Sequence, residues 1–165
     1  MNVERRTKNG ERGQIGFTFV ELMVVTTIIL ILASAVVPLA RVSFQRQREI
    51  ELHEDLRMIR TAIDRYKDAA DRGLIGATEL KAGAQDYPPN LQVLVDGVPA
   101  ANSAADLKLK FLRRIPIDPM THSTDWGLRS YQDKPDSTSW GGEDVYDVFS
   151  KSDGTALDGT KYRDW

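Results

Sequence analysis

An apolar run of about 24 residues, from Phe17 to Ala40, restricts what this chain can fold into. As a helix rising 1.5 Å per residue it extends about 36 Å, enough to cross a hydrocarbon core of about 30 Å. Glu21 is the only charged residue in the run. Because a carboxylate at membrane depth costs about 3 kcal/mol, such a residue is expected to have a function and a partner. The sequence therefore predicts a membrane-anchored chain with one functional acid near the start of its anchor.

The residues before this run form a polar, basic leader with four basic and two acidic side chains, a net charge of +2. Basic residues ahead of an apolar segment predict that the N-terminus stays on the cytoplasmic side and the rest crosses the membrane. Since the whole chain has a net charge of -2, the part after Gly16 carries -4, which argues against a specific nucleic-acid partner. The chain contains no cysteine, so disulfides and zinc–thiolate sites are excluded.

One long helix is predicted from Phe17 to about Arg72, because turn residues are almost absent there. Its first half is apolar on all sides. Its second half is amphipathic, and the charges from Arg57 to Asp71 are interpreted as a solvated face. Gly73 is the predicted C-cap. Apolar residues in the second half recur at spacings of four and three, which predicts a buried stripe of Leu52, Leu56, Ile59, Ile63 and Tyr66.

The fold class predicted from these patterns is α+β, with the long helix packed on a small antiparallel C-terminal β-sheet. Gly73 to Lys110 is predicted to be a connector, with a short helix from Leu91 to Val95 capped by Asn90 and a surface loop from Pro99 to Asp106. Three strands are predicted beyond Phe111: Leu128 to Tyr131, Val145 to Ser150 and Thr160 to Tyr162.

The run from Gly16 to Leu22 reads Gly-Phe-Thr-Phe-Val-Glu-Leu. With its basic leader and apolar continuation it resembles the class III signal of type IV pilins and pseudopilins. The resemblance implies a leader peptide at 1–16, cleavage after Gly16 by a prepilin peptidase and N-methylation of Phe17. It also implies a transmembrane and filament-core helix at 17–40 and a periplasmic domain at 41–165.

Glu21 is expected to have a role in assembly. Cleavage would expose the Phe17 amine, and the Glu21 carboxylate of one subunit could neutralise the amine of a neighbour. This pairing removes two costly buried charges together and sets the register of the polymer. Pro38 interrupts the helix and is expected to kink or locally melt it. We interpret Pro38 either as an incidental kink or as a weak point that lets the helix repack between lipid and filament.

The C-terminal half resembles the major pseudopilin of type II secretion. The resemblance rests on the segments 114–119, 126–131, 145–154 and 164–165, with their Asp-Pro, Trp-Gly and Ser-Asp-Gly features. It implies a structural subunit of a periplasmic pseudopilus that drives protein export, anchored in the bacterial inner membrane before assembly. The implied partners are sister subunits, minor pseudopilins, the prepilin peptidase, an inner-membrane platform protein and an assembly ATPase.

Two alternatives stay open. A type IV pilus subunit serving motility, adhesion or DNA uptake has the same N-terminal chemistry, although the missing cysteines favour the pseudopilin. A soluble secreted module is the other alternative, since Ala33-Ser34-Ala35 is an A-x-A site at which signal peptidase could cut after Ala35.

The acidic loop around Asp153 and Asp158 is a candidate calcium site. Calcium takes six to eight oxygen ligands, and glycines beside both acids let backbone carbonyls turn inward. The pseudopilin resemblance implies calcium at these two aspartates. Two Asp-Gly turns are the alternative interpretation.

Enzymatic activity is not expected. The sequence lacks HExxH, GxSxG and phosphate-loop motifs. His53 is predicted on the helix, and polar turn residues explain the remaining candidate metal cluster of Asp118, His122 and Asp125. The aromatic residues Trp126, Tyr131, Tyr146 and Phe149 are predicted to belong to the core of the sheet.

Overall fold

The computed structural model describes residues 16–76, 85–101 and 107–165, so most of the predicted leader and residues 102–106 of the predicted surface loop lie outside it. The chain divides into two compact units, the first ending at Arg41 and the second comprising Val42–Trp165. The elements in chain order are helices α1 (Phe19–Asp71) and α2 (Leu91–Asp96), strands β1 (Val98–Pro99), β2 (Lys108–Leu109), β3 (Gly127–Arg129) and β4 (Asp147–Phe149), and a 3₁₀-helix at Tyr162–Asp164.

The end of α1 is fixed by Gly73, as the sequence predicted. Gly73 has a φ of 66°, in the left-handed region that glycine adopts without steric cost. Its N–H donates to the carbonyl of Ala70, and the N–H of Leu74 donates to that of Ala69, both at 2.9 Å. These two bonds form a Schellman motif, which satisfies carbonyls that the last helical turn leaves without partners.

The amphipathic half of α1 supplies one side of the core in the second unit. All five residues of the predicted apolar stripe are at most 1% exposed. They belong to one cluster with Leu94 of α2, Trp126, Val145 and Val148 of β4. Since burying a large aliphatic or aromatic side chain contributes about 1.5–3 kcal/mol, this stripe is a main source of stability in the unit. The prediction that this half packs on the C-terminal β structure is confirmed.

The β structure consists of two antiparallel pairs. β1 pairs with β2 inside the predicted connector, and β3 pairs with β4 so that Leu128 lies opposite Val148. The α+β prediction is confirmed, as is the cap of α2, where the Asn90 side chain accepts a hydrogen bond from the N–H of Val93 at 3.0 Å.

The predicted strand from Thr160 to Tyr162 is wrong. Ala156 donates its N–H to the carbonyl of Thr160, so the chain folds back on itself within five residues. Lys161 keeps only an isolated bridge to Thr155, and a 3₁₀-helix begins at Tyr162. The turn is too tight to leave a length of chain that could pair with β4.

The prediction for the aromatic residues is wrong for two of the four. Trp126 and Phe149 are 3% and 4% exposed, whereas Tyr131 and Tyr146 are 50% and 46% exposed. The two tyrosines pack against each other and against Tyr87 at the surface. A phenol gains from this position because its hydroxyl keeps its contact with water while part of the ring is buried.

Candidate functional site

Helix α1 begins with a capping arrangement that places Glu21 in its first turn. The Thr18 hydroxyl accepts a hydrogen bond from the backbone N–H of Glu21 at 3.2 Å, and the Thr18 carbonyl accepts the first helical bond, from Leu22. Thr18 is therefore the N-cap and Glu21 the third helical residue, the spacing of a capping box. Thr18 was not predicted as a positioning residue, although the sequence contains the Thr-x-x-Glu pattern.

The Glu21 carboxylate has no hydrogen bond or ion pair with any residue that the structure describes. The nearby N-terminus of α1 provides a favourable electrostatic environment, because the helix dipole concentrates partial positive charge there. That interaction amounts to about 0.3–1 kcal/mol, less than the cost of about 3 kcal/mol for an acid at membrane depth. At membrane depth the helix dipole alone would therefore not offset the cost of the Glu21 charge.

The other polar side chains of the apolar segment are satisfied within the helix. The hydroxyls of Thr26 and Thr27 donate to carbonyls one turn earlier, at 2.9 and 2.7 Å, and Ser34 donates to the carbonyl of Ile31 at 2.7 Å. Such bonds remove the need for a partner in lipid or in a packed polymer. Among these polar groups Glu21 alone is left without a partner within the described chain.

Large apolar side chains cover the surface of the first unit. Phe19, Leu30 and Leu39 are 75%, 70% and 71% exposed. By length and composition, α1 is the one helix among the described residues that could cross a membrane. An apolar surface of this extent indicates a surrounding of lipid or of other apolar helices.

Gly16 and Phe17 precede the helix in a non-helical, exposed segment. A protease requires an accessible backbone of this kind, and cleavage between these residues stays a prediction. Pro38 lies inside α1, which is assigned as one continuous helix through it. A kink at Pro38, or local melting when the helix repacks between lipid and filament, stays a prediction.

The C-terminal end of the chain is attached to α1 by Arg60. The guanidinium donates to the Asp147 carboxylate at 2.7 Å, to the Val148 carbonyl at 3.0 Å and to the Trp165 carbonyl at 2.7 Å. Asp147 also accepts from Arg129 at 3.2 Å. The interpretation of all charges from Arg57 to Asp71 as a solvated face is therefore wrong for Arg60, whose side chain turns over β4.

A second attachment joins an earlier turn of α1 to the last loop. The Glu49 carboxylate accepts from the backbone N–H of Leu157 at 2.9 Å and from the Tyr162 hydroxyl at 3.0 Å. The Gln45 amide donates to the Thr155 carbonyl at 3.1 Å. Burial raises the pKa of Tyr162, so its hydroxyl is a donor throughout the physiological range. These contacts close the C-terminal end without a disulfide.

The two aspartates of the predicted calcium site already have protein partners. The Asp158 carboxylate accepts from the N–H and hydroxyl of Thr160, at 2.9 and 2.6 Å, and these bonds lower its pKa. Asp153 is close to the Arg163 guanidinium, at 3.6 Å. In the described part of the chain no group of three or more histidine, aspartate or glutamate side chains could hold a metal ion. A calcium ion at Asp153 and Asp158 would take its other ligands from backbone carbonyls or water, and calcium at these two aspartates stays a prediction.

The other candidate metal cluster is dispersed among structural contacts. Asp118 is fully buried, and its carboxylate accepts from the Ser150 hydroxyl at 2.6 Å and from the N–H of Met120 at 2.7 Å. Asp125 pairs with Lys151 at 2.6 Å. His53, the other histidine considered, stacks on the Trp165 ring with centroids 4.1 Å apart. The Asp118 carboxylate thus stabilises the turn at Met120, as predicted for a polar turn residue.

Comparison with known families finds a match for the N-terminal segment alone. Residues 12–37 match the model of the prokaryotic N-terminal methylation motif. No curated protein and no solved structure matches the chain. The match is confined to this N-terminal segment and supports a likeness to the type IV pilin-like family. The motif implies processing by a prepilin peptidase and polymerisation into a homopolymeric filament of the pilus or pseudopilus kind.

Proposed function

We propose that this chain is a structural, non-catalytic subunit of a periplasmic pseudopilus that drives protein export by type II secretion. The carrying observation is the Glu21 carboxylate, which lies in the first turn of a lipid-compatible helix and has no partner among the described residues. A cation supplied by the next subunit satisfies this need, and the Phe17 amine created by cleavage is such a cation. The proposal joins the methylation motif to a physical reason for polymerisation.

In the proposed assembly the uncut chain is held in the inner membrane with its leader in the cytoplasm. Prepilin peptidase cuts after Gly16, and the Phe17 amine is methylated, which keeps its positive charge. The Glu21 carboxylate then pairs with the Phe17 amine of a neighbouring subunit as both enter the filament. The platform protein and the assembly ATPase supply the work of extraction, and minor pseudopilins begin the polymer.

Two features support a pseudopilus over a type IV pilus. The chain has no cysteine, whereas many major pilins close their C-terminal region with a disulfide. Here Arg60 and Glu49 close that region through long-range hydrogen bonds. The Asp-Pro and Val-Phe-Ser segments that resemble the major pseudopilin also meet, because the Asp118 carboxylate accepts from Ser150.

The extracellular proteome of a deletion strain, compared with that of a complemented strain, tests the export function. Loss of a defined set of secreted proteins from the medium is expected. An unchanged secretome together with lost motility or DNA uptake would instead assign the chain to a surface pilus. A mature chain beginning at Val36, measured by mass spectrometry, would exclude both and leave a secreted module.

Glu21→Gln tests the pairing in the same strains. Removing one member of a buried ion pair costs about 3–5 kcal/mol, so the yield of filaments should fall by a hundredfold or more. Thr27→Val is the matched control, because its hydroxyl bonds only to its own helix and the substitution keeps the shape of the side chain. Filament yields of Glu21→Gln that equal those of Thr27→Val would refute the pairing.

A further inference from the structure

Three tyrosines form an exposed aromatic cluster on the second unit. The Tyr146 ring lies edge-on to both Tyr87 and Tyr131, with centroids 5.2 and 5.3 Å apart. Tyr131 and Tyr146 are about half exposed. We call Tyr87, Tyr131 and Tyr146 the tyrosine patch. Clustered tyrosines that already hold one another in place suit a protein interface, because little side-chain entropy is left to lose on binding.

The border of the tyrosine patch is acidic. Lys67 lies over the Tyr87 ring, 5.6 Å from its centroid, and its charge is engaged by Asp71. Burial is the main cause of the raised pKa of Tyr87, and the nearby Asp64 carboxylate raises it further. The hydrogen bond to Asp71 is the main cause of the raised pKa of Lys67, and the nearby Asp86 carboxylate also raises it. Three carboxylates and one ammonium leave this border with a net charge of about -2.

A basic groove lies elsewhere on the same unit. It has a volume of about 320 Å³ between α1 and the Phe111–Leu112 segment, and Met58 and Arg65 are among its lining residues. Lys110 and Arg113 line an adjoining pocket, which shares Phe111 and Leu112 with the first. We call this region the basic groove; its charged residues are Glu54, Arg57, Arg65, Lys110 and Arg113. None of the four cations forms an ion pair with a described residue, and the net charge is about +3.

The basic groove and the tyrosine patch lie along opposite edges of α1. Met58 and Arg65 are seven residues apart and share one helix face, as do Arg60 and Lys67. Arg60 and Lys67 each follow Met58 and Arg65 by two residues, which is a rotation of about 200° around the helix axis. The buried residues Ile59, Ile63 and Tyr66 lie between the two edges.

We propose that the basic groove of one copy binds the tyrosine patch of the next copy in the filament. This contact presupposes the filament of the proposed function. The occupant is a second copy because the two surfaces are complementary in charge and in chemistry, and arginine stacks favourably on tyrosine rings. Since the two surfaces differ, the contact is heterologous. Each docked copy leaves one groove and one patch free at the ends, which generates an open helical polymer.

Charge exchange in the full chain, expressed with its assembly machinery, tests the contact. The groove variant is Arg65→Glu with Arg113→Glu. The patch variant is Asp64→Arg with Asp86→Asn; asparagine suits position 86 because the φ of Asp86 is 65°. The matched control is Lys134→Glu with Lys161→Glu, which changes the net charge as the groove variant does but at exposed lysines outside both surfaces.

The measured quantity is the fraction of chain that sediments as filaments, with limited proteolysis of detergent-solubilised chain as the check on folding. Each single-surface variant is expected to lose about tenfold in that fraction, because like charges then face each other. Combining both sets of substitutions restores opposite charges and should recover the fraction to within about threefold of wild type. The control should stay within about twofold of wild type.

Two outcomes would overturn the contact while leaving the filament function intact: variants that assemble like the control, or a combined variant no better than either parent. A wild-type chain that forms no filament at all would instead overturn the proposed function. Should the groove variant be degraded, Asp64→Arg alone carries the test, since it changes one exposed helix position.

Discussion

Replacing Arg60 by methionine should loosen the C-terminal end of the second unit. Methionine retains most of the apolar stem of arginine and removes the guanidinium. Three hydrogen bonds are lost, one to the Asp147 carboxylate and two to the carbonyls of Val148 and Trp165. Asp147 keeps its contact with Arg129, so its charge is not left without a partner.

The expected cost follows from these contacts. A hydrogen bond in which one partner is charged contributes about 1.5–3 kcal/mol, and the Arg60 guanidinium is the charged partner in all three bonds. The Arg60 side chain is 39% exposed, so solvent screens part of each interaction. We therefore expect a loss of about 2–3 kcal/mol in the free energy of unfolding. For a folded unit of this size that corresponds to a fall of about 8–12 °C in Tm.

The measurement is thermal unfolding of the full chain in detergent, followed by near-ultraviolet circular dichroism. The signal comes from tryptophan and tyrosine, which include Trp165 beside the site. Arg57→Met is the matched control, one turn earlier on the same helix, where arginine forms no ion pair with a described residue; its Tm should change by less than about 2 °C. Equal Tm values for the two variants would refute the reasoning that Arg60 anchors the C-terminus.

Two further predictions concern Asp55 and the last loop. Burial, with Glu51 and Glu54 nearby, raises the pKa of Asp55 from 3.8 to about 6, so its ionisation destabilises the folded state as the pH rises from about 4 to 6. Asp55→Asn should therefore gain about 1 kcal/mol over wild type above pH 6, allowing for solvent screening, and lose that advantage below pH 4; a pH-independent difference in unfolding free energy would contradict this. Calcium binding, as implied by the pseudopilin resemblance, should raise the Tm of wild type but not of Asp158→Asn, whereas equal Tm values in calcium and in chelator would show that the loop is closed by hydrogen bonds alone.

The parts of the fold that sequence could predict are those that depend on neighbours along the chain. Spacings of three and four gave the buried face of α1, from Leu52 to Tyr66, because helical periodicity alone decides which residues face the same way. The caps at Asn90 and Gly73 were predictable for the same reason, since a cap uses atoms within a few residues. Glu21 stood out because one charge in an apolar run is a local anomaly.

The parts that sequence could not predict depend on partners far along the chain. Arg60 and Asp147 are 87 residues apart, and Glu49 and Tyr162 are 113 apart. Each of these residues has the composition of a solvated helix face or of a loop when read alone. The prediction that Tyr131 and Tyr146 are buried was wrong for a related reason. Both have the strand propensity of core residues, and only their packing against Tyr87, which is distant in sequence, places them at the surface.

The two units differ in where their stability must come from. The second unit buries its own apolar stripe and satisfies the ends of its chain with Arg60 and Glu49. The first unit leaves the side chains of its apolar run exposed, and the one carboxylate of that run, Glu21, has no partner in the described chain. The hydrocarbon chains of lipid can cover the apolar surface, yet they offer no cation to the carboxylate. In the proposed filament, neighbouring subunits would cover the same surface and also supply a cation, and we infer from this difference a physical reason for the chain to leave the membrane.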